Sequence, residues 1–139
     1  MIRRANKFDI QDIIRLLKDF AGKSEIALGY DPLKWSKTHI EAILANIFAG
    51  RGVILIDDKK SALLIAVINK SFWLDEYQLV EVMLHSNNQI TMVKLIKEYV
   101  KIAQEMKASG QISKAIIGSN KAASFEKLGF RPLETLWEI

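Results

Sequence analysis

The chain contains no cysteine. That excludes disulfides, a thiol nucleophile and a zinc–thiolate site. Histidine is scarce as well: His39 and His85 lie far apart and give no metal-ligand spacing, so no metal is expected. Two prolines and seven glycines are all that punctuate 139 residues. With no linker, repeat or low-complexity tract, one domain over residues 1–139 is expected. No apolar run approaches the roughly 20 residues that span a bilayer, and the N-terminus lacks the apolar centre of a signal peptide. A soluble, cytoplasmic protein with no membrane partner is the expectation. Blocks of like charge and clusters of basic with aromatic residues are also missing, so nucleic-acid binding is disfavoured.

What is present is apolar and periodic. Half of the chain is hydrophobic, enough for a sizeable core, and the net charge is only +4 with a pI near 9.3. This modest basicity suits a solvated surface or an anionic ligand bearing phosphate. Residues Ile2 to Arg4 read as a short strand. "FDIQDIIRLLKDFAG" carries Ile10, Ile13, Ile14, Leu17 and Phe20 at helical spacing, with Asn6 or Asp9 as cap and Gly22 as stop. A second helix is expected from Asp31 and Pro32, with Ile40, Ile43, Leu44 and Ile47 as its buried stripe and Gly50 as its end. The period then changes. "GVILID" and "SALLIAVIN", joined by "DDKK", read as an antiparallel hairpin, and "EYQLVEVMLH" as a third strand. A long helix follows from about Thr91 to Ser109, then a strand at "SKAIIG", a short helix at "NKAASFEKLG" and a last strand at "ETLWEI".

The expected order is β-α-α-β-β-β-α-β-α-β. It describes an α/β (α+β) fold whose mixed sheet is antiparallel in its first half and gains one parallel pair through the strand–helix–strand unit from Leu79 to Gly118. Ligands favour the C-terminal ends of parallel strands, beside the next helix N-terminus. That points to "VEVMLHSNNQITMVKLIKEY". It has the layout of a phosphate-binding turn but holds no glycine.

"NKAASFEKLGFRPLE" resembles the "N…A…YEKLGF" segment of the GNAT superfamily, the Gcn5-related N-acetyltransferases. "DEYQLVEVMLHSNNQ" is similar to that family's fourth strand and the turn after it, and "MIRRANKFDIQDIIRLL" to its opening strand and first helix. "FWLDE" and Glu81 look most like compact GNAT-like proteins of bacteriophages. The resemblance implies a three-layer fold with about 6–7 strands and helices on both faces. It implies acetyl-CoA as co-substrate, an acceptor that is a small-molecule or protein amine, and direct attack of that amine on the thioester. Pantetheine would pair with the backbone of the fourth strand around Val82 and Leu84. The pyrophosphate would lie on the turn and helix start, Gln89, Ile90, Thr91, Met92, Val93 and Lys94, with Asn120 and Phe125 also beside the cofactor. Gln89 fits the family's R/Q-x-x-G-x-G/A pattern. Met92 and Lys94 occupy its two small-residue positions, Phe125 stands where a tyrosine hydroxyl would protonate the thiolate, and Asn120 sits two residues closer to the Gly-Phe ending than usual.

Glu81 is the candidate base. By period two it shares a strand face with Tyr77, Leu79 and Met83. There its carboxylate is either desolvated, with a pKa raised toward that of a general base, or an edge-exposed structural Glu. Lys94 is a surface lysine or a compensating cation, and Met92 opens the apolar stripe of its helix. His85 reads as a surface turn histidine, a proton shuttle or a phosphate contact; Tyr77 or Tyr99 could replace the absent acid hydroxyl, though Tyr99 on the apolar stripe reads as core. Tyr30, Trp35 and Trp73 are candidate acceptor contacts, with ordinary packing as the other reading of the tryptophans. Two outcomes follow. One is an acyl-CoA-dependent N-acyltransferase with a divergent pyrophosphate turn. The other is a non-catalytic GNAT-fold binding or structural protein, virion-associated or host-directed if the bacteriophage likeness holds. The family also pairs through sheet or strand exchange, so a homodimer is compatible with either.

Overall fold

A computed structural model describes residues 1–28, 35–118 and 125–133, with the backbone alone for 22–28. Strand β1 (Ile2–Arg4) leads through a short 3₁₀ turn into helix α1 (Ile10–Leu28). Helix α2 (Lys37–Asn46) runs through a wider turn into β2 (Gly52–Asp57), which is followed by β3 (Ala62–Lys70) and β4 (Tyr77–Ser86). Helix α3 (Gln89–Ala108) then crosses to β5 (Lys114–Ile116). The sheet order is β1-β2-β3-β4-β5, antiparallel except for the parallel β4–β5 pair.

This is the expected mixed α/β architecture with fewer strands: five among the described residues, not 6–7. The expected last strand, "ETLWEI", lies outside the described residues. Of the expected short helix, residues 120–124 also lie outside the described residues, and Glu126–Leu128 form one 3₁₀ turn closed by Gly129 in the left-handed region, φ 94°. Gly22 does not stop α1, which continues to Leu28. A glycine inside a helix costs only about 1 kcal/mol, and good helix formers follow it.

The caps explain the helix starts. Asn6 accepts from the Phe8 amide at 2.9 Å, while Asp9 Oδ2 accepts from the Asn6 amide at 2.8 Å, a reciprocal capping box. Arg3 adds two 2.8 Å bonds to the buried Asp9 carboxylate and holds its pKa down at about 2. Helix α2 begins later than expected because Ser36 caps it, accepting from the His39 amide at 3.2 Å. The expected cap Asp31 and Pro32 lie outside the described residues. Gly50, at φ 105°, turns the chain out of the helix and into β2 as its sequence position suggested.

Alternation along the strands divides the interior in two. Val53, Leu55, Leu64, Ala66 and Leu79 meet Leu95, Tyr99, Ile102 and Met106 under α3. Ile54, Ile56, Leu63, Ile65 and Met83 meet Ile13, Leu16, Leu44 and Ile47 under α1 and α2. The sheet is therefore the middle of three layers.

Candidate active site

Strand β4 changes phase half-way along. Ile65 of β3 is paired with Met83 and the next residue, Ala66, with Glu81, so Val82 is an extra residue with no partner. It is a β-bulge, and it shifts the in–out alternation by one. Before it, Leu79 packs under α3; after it, Leu84 does, while Met83 faces α1 and α2. Simple period two therefore fails here: Glu81 shares a face with Leu79 but not with Met83. Bulges leave little trace in residue type, and an unbroken apolar run conceals the slip.

The bulge coincides with a fork. Pairing between β4 and β5 ends at Val80↔Ile116, whereas β4 runs on to Ser86. Glu81 sits where the two strands part, and the Gly118 backbone amide hydrogen-bonds to its carboxylate. Burial dominates its electrostatics and raises the carboxyl from 4.5 to about 7, with the Gly118 bond pulling weakly downward. Tyr99, fully buried on α3, spans the fork from beneath. Its hydroxyl lies 2.8 Å from the Ile116 carbonyl oxygen and 3.2 Å from that of Leu79, so it donates across both strands. Burial, and then the nearby Glu81 charge, push its pKa well up. Tyr99 is thus core, as its place on the helix stripe suggested.

The turn beyond β4 is short and satisfied from within. Helix α3 begins at Gln89, two residues earlier than expected, and Asn88 caps it. Asn88 Oδ1 accepts from the amides of Ile90 at 2.8 Å and Thr91 at 3.3 Å. Ser86 Oγ in turn accepts from the Asn88 amide at 3.1 Å and donates to the Asn88 carbonyl at 2.8 Å. The Met92 amide bonds to the Asn88 carbonyl. Amides that would meet a phosphate are therefore already engaged, and Met92 and Lys94 lie inside the helix. The expected start at Thr91 missed Asn88 as the cap, although an Asn ahead of the helix in "SNNQ" carries that signal. Gln89, Ile90, Val93, Lys94 and Lys97 line a shallow groove of about 410 Å³ over the first turns of α3, with both lysines exposed.

On the other side of the sheet an apolar cleft of about 210 Å³ lies between α1, α2 and the bulge. Trp35, Leu17, Phe20, Ile40, Ile43 and Val82 line it, over a floor of Leu44, Ile65 and Met83. The structure thus brings Trp35 and Val82 together. Trp73 lies elsewhere, exposed on the β3–β4 connection against Phe72, at the opposite end of β4. Leu84 is half-buried against the α3 side, and Phe125 meets Phe130 edge to face. Tyr30 and Asn120 lie outside the described residues. His85 is not a surface residue: it is buried and meets Phe20 edge to face, because the bulge turns it under α1. Among the described residues no three His, Asp or Glu side chains could together hold a metal ion. No described helix is long and apolar enough to cross a membrane.

No protein-family model and no curated sequence matches the chain. Solved structures do match over its whole length. An aminoglycoside acetyltransferase from an uncultured soil metagenomic sample shares 15% identity, with 96% of that chain covered and a TM-score of 0.66. A Trypanosoma brucei acetyltransferase shares 16% identity, with 97% covered and a TM-score of 0.66. The chain shares the fold of these acetyltransferases. A Bacillus halodurans C-125 protein described as a transcriptional regulator also matches, at 13% identity, 97% coverage and a TM-score of 0.69. At such identities the GNAT likeness is one of fold, and the chemistry must be argued from this chain's own residues.

Proposed function

We propose that the protein is an acetyl-CoA-dependent N-acyltransferase acting on a primary amine. One observation carries the reading: a half-buried Glu81 with a pKa near 7, placed beside a β-bulge where β4 and β5 part. A carboxylate titrating near neutral pH is suited to take a proton from an attacking amine. Among the described residues the β5-side edge of β4 beyond Val80, around Val82 and Leu84, is unpaired, which suits a pantetheine arm. Lys94 and Lys97 offer cations for its phosphates. In the step itself the amine nitrogen bonds to the thioester carbonyl carbon and the carbon–sulfur bond breaks. Glu81 receives the amine proton. Phe125 has no hydroxyl to give, so the leaving thiolate takes its proton from water.

Isothermal titration with acetyl-CoA, paired with a thiol-release assay, tests the proposal. Binding at micromolar to millimolar ligand with thiol release dependent on an added amine supports it. No binding at millimolar acetyl-CoA removes it. The second reading, a non-catalytic GNAT-fold module, is favoured by one feature: the Asn88 cap occupies amides that a pyrophosphate would need. Acetyl-CoA binding without turnover of any amine would select it.

A further inference from the structure

We infer that the tip of the β3–β4 hairpin is a pairing surface whose partner is a second copy of this chain. The inference is independent of the acyl-transfer reading and requires no exchange of strands.

The hairpin overhangs the sheet. Pairing with β2 ends at Gly52↔Val67, whereas β3 runs on to Lys70, which pairs with Tyr77 of β4. The apolar residues of the tip face water: Phe72 keeps 88% of its surface, Trp73 85% and Leu74 58%, with Tyr77 beside them at 49%. This is not the slack of a loose loop. The Ser71 amide donates to the Glu76 carbonyl at 2.8 Å, and Ser71 Oγ accepts from the amides of Trp73 and Leu74 at 3.3 Å. Lys70 pairs with Asp75 at 2.7 Å. The Phe72 and Trp73 rings meet edge to face with centroids 4.8 Å apart. A turn built in this way holds its aromatic rings outward, and contiguous apolar surface kept in water marks an interaction site.

Area and charge choose the occupant. An aromatic side chain offers roughly 150–250 Å², so the four residues present on the order of 500 Å², and two copies face to face cover on the order of 1,000 Å², the floor for a specific protein contact. The flanking charges are of both signs, Lys70 and Lys114 against Asp75 and Glu76. A nucleic acid or an anionic bilayer gains nothing from charges that cancel. A twofold contact requires them, because it sets the same patch against itself, and each cation then needs an anion within that patch. An aromatic centre with a mixed polar rim is also how protein interfaces are ordinarily built. The tip stands at the end of β4 opposite the turn into α3, so pairing leaves that turn open in both copies.

Sedimentation equilibrium of the full chain from micromolar to millimolar concentration tests the inference. A dimer with a dissociation constant on the order of 10–100 µM is expected for a contact of this size. Trp73→Ser should weaken it at least about ten-fold, as loss of a central aromatic anchor does, with the thermal midpoint unchanged because Trp73 is exposed. The chain has no cysteine, so a single introduced thiol reports position. Leu74→Cys should cross-link into covalent dimers under mild oxidation, at concentrations where Lys59→Cys, on the β2–β3 turn at the other end of the sheet, stays monomeric. A monomer throughout, a dimer that Trp73→Ser leaves unchanged, or equal cross-linking of the two cysteine variants would overturn the inference. So would Trp73-dependent binding of monomeric protein to phosphatidylcholine vesicles, which would give the tip to a lipid surface.

Discussion

The two faces of the sheet are built from similar residues to different ends. Under α3 the packing is closed: Leu79, Leu95 and Tyr99 are fully buried, and the Tyr99 hydroxyl is spent on tying β4 to β5. Under α1 and α2 the deep residues Ile13, Leu16 and Leu44 are equally buried, but Leu17, Phe20, Ile40 and Ile43 stop short of closure and frame a cleft. The bulge at Val82 belongs to both. It keeps Leu84 on the closed side, turns Met83 to the open side and leaves Glu81 at the fork between them. A single added residue thus accompanies one face that closes and another that leaves a cleft.

The comparison is broken most severely at the bulge. Glu81→Gln should lower kcat by about 10²–10⁴-fold, the usual contribution of a positioned general base. The pH profile separates this from structural damage. In the wild type log(kcat/KM) should rise with slope two below pH 7, where Glu81 and the amine must both lose protons, and slope one above it. The variant should keep slope one throughout. Stability should move the other way. The folded-state pKa of Glu81 is raised, so the native protein binds more protons than the unfolded chain between 4.5 and about 7. Its stability contribution is therefore intact below 4.5 and lost as pH climbs through 7. Glu81→Gln should match wild type at pH 4 and exceed it at pH 8 by on the order of 3 kcal/mol in urea unfolding. A less stable variant at pH 8 would remove the desolvated-base assignment.

Paired truncations measure the faces directly. Leu95→Ala, on the closed side, should cost about 3 kcal/mol because a cavity is left in rigid packing. Ile43→Ala, on the open side, should cost below about 1 kcal/mol, since its side chain already borders empty space. Equal costs in denaturant melts would mean that the cleft is filled by the chain itself. Tyr99→Phe isolates the tie across the fork. It should cost about 1 kcal/mol by removing one buried donor, and speed hydrogen exchange at the β5 amides more than elsewhere.

Much of this was legible in the sequence, and the limits have physical causes. The helix stripes, the β2–β3 hairpin and the parallel β4–β5 unit all followed from apolar period and turn residues, because burial on one face imposes that period. Glu81 stood out because a carboxylate within "LVEVML" must either desolvate or reach an edge. The period itself hid the bulge, since Val82 and Met83 suit a strand in either phase. It also hid the cleft. Leu17 with Phe20 and Ile40 with Ile43 were legible as two apolar stripes, but whether such stripes close on each other depends on how far apart the two helices sit, which no local pattern encodes. His85 was misread as a surface turn residue because it stands near the end of its strand; the structure buries it against Phe20.

The smallest expected effect concerns the turn at the start of α3, where the closed and open faces meet. Asn88 fills the role that an incoming phosphate would take, binding the Ile90 and Thr91 amides. Asn88→Gly should cost only a few tenths of a kcal/mol, because glycine tolerates the cap backbone and water replaces the side chain. The freed amides still point out of the helix, and its N-terminal partial charge persists. If the pyrophosphate docks there, acetyl-CoA affinity should rise a few-fold in titration, since the ligand no longer competes with the cap. If it docks only along the Lys94–Lys97 groove, Asn88→Gly should leave affinity unchanged and Lys94→Ala should weaken it about as much as one exposed ion pair allows, a few-fold at low salt. The two variants together decide whether this glycine-free turn receives the phosphates with its backbone or with its lysines.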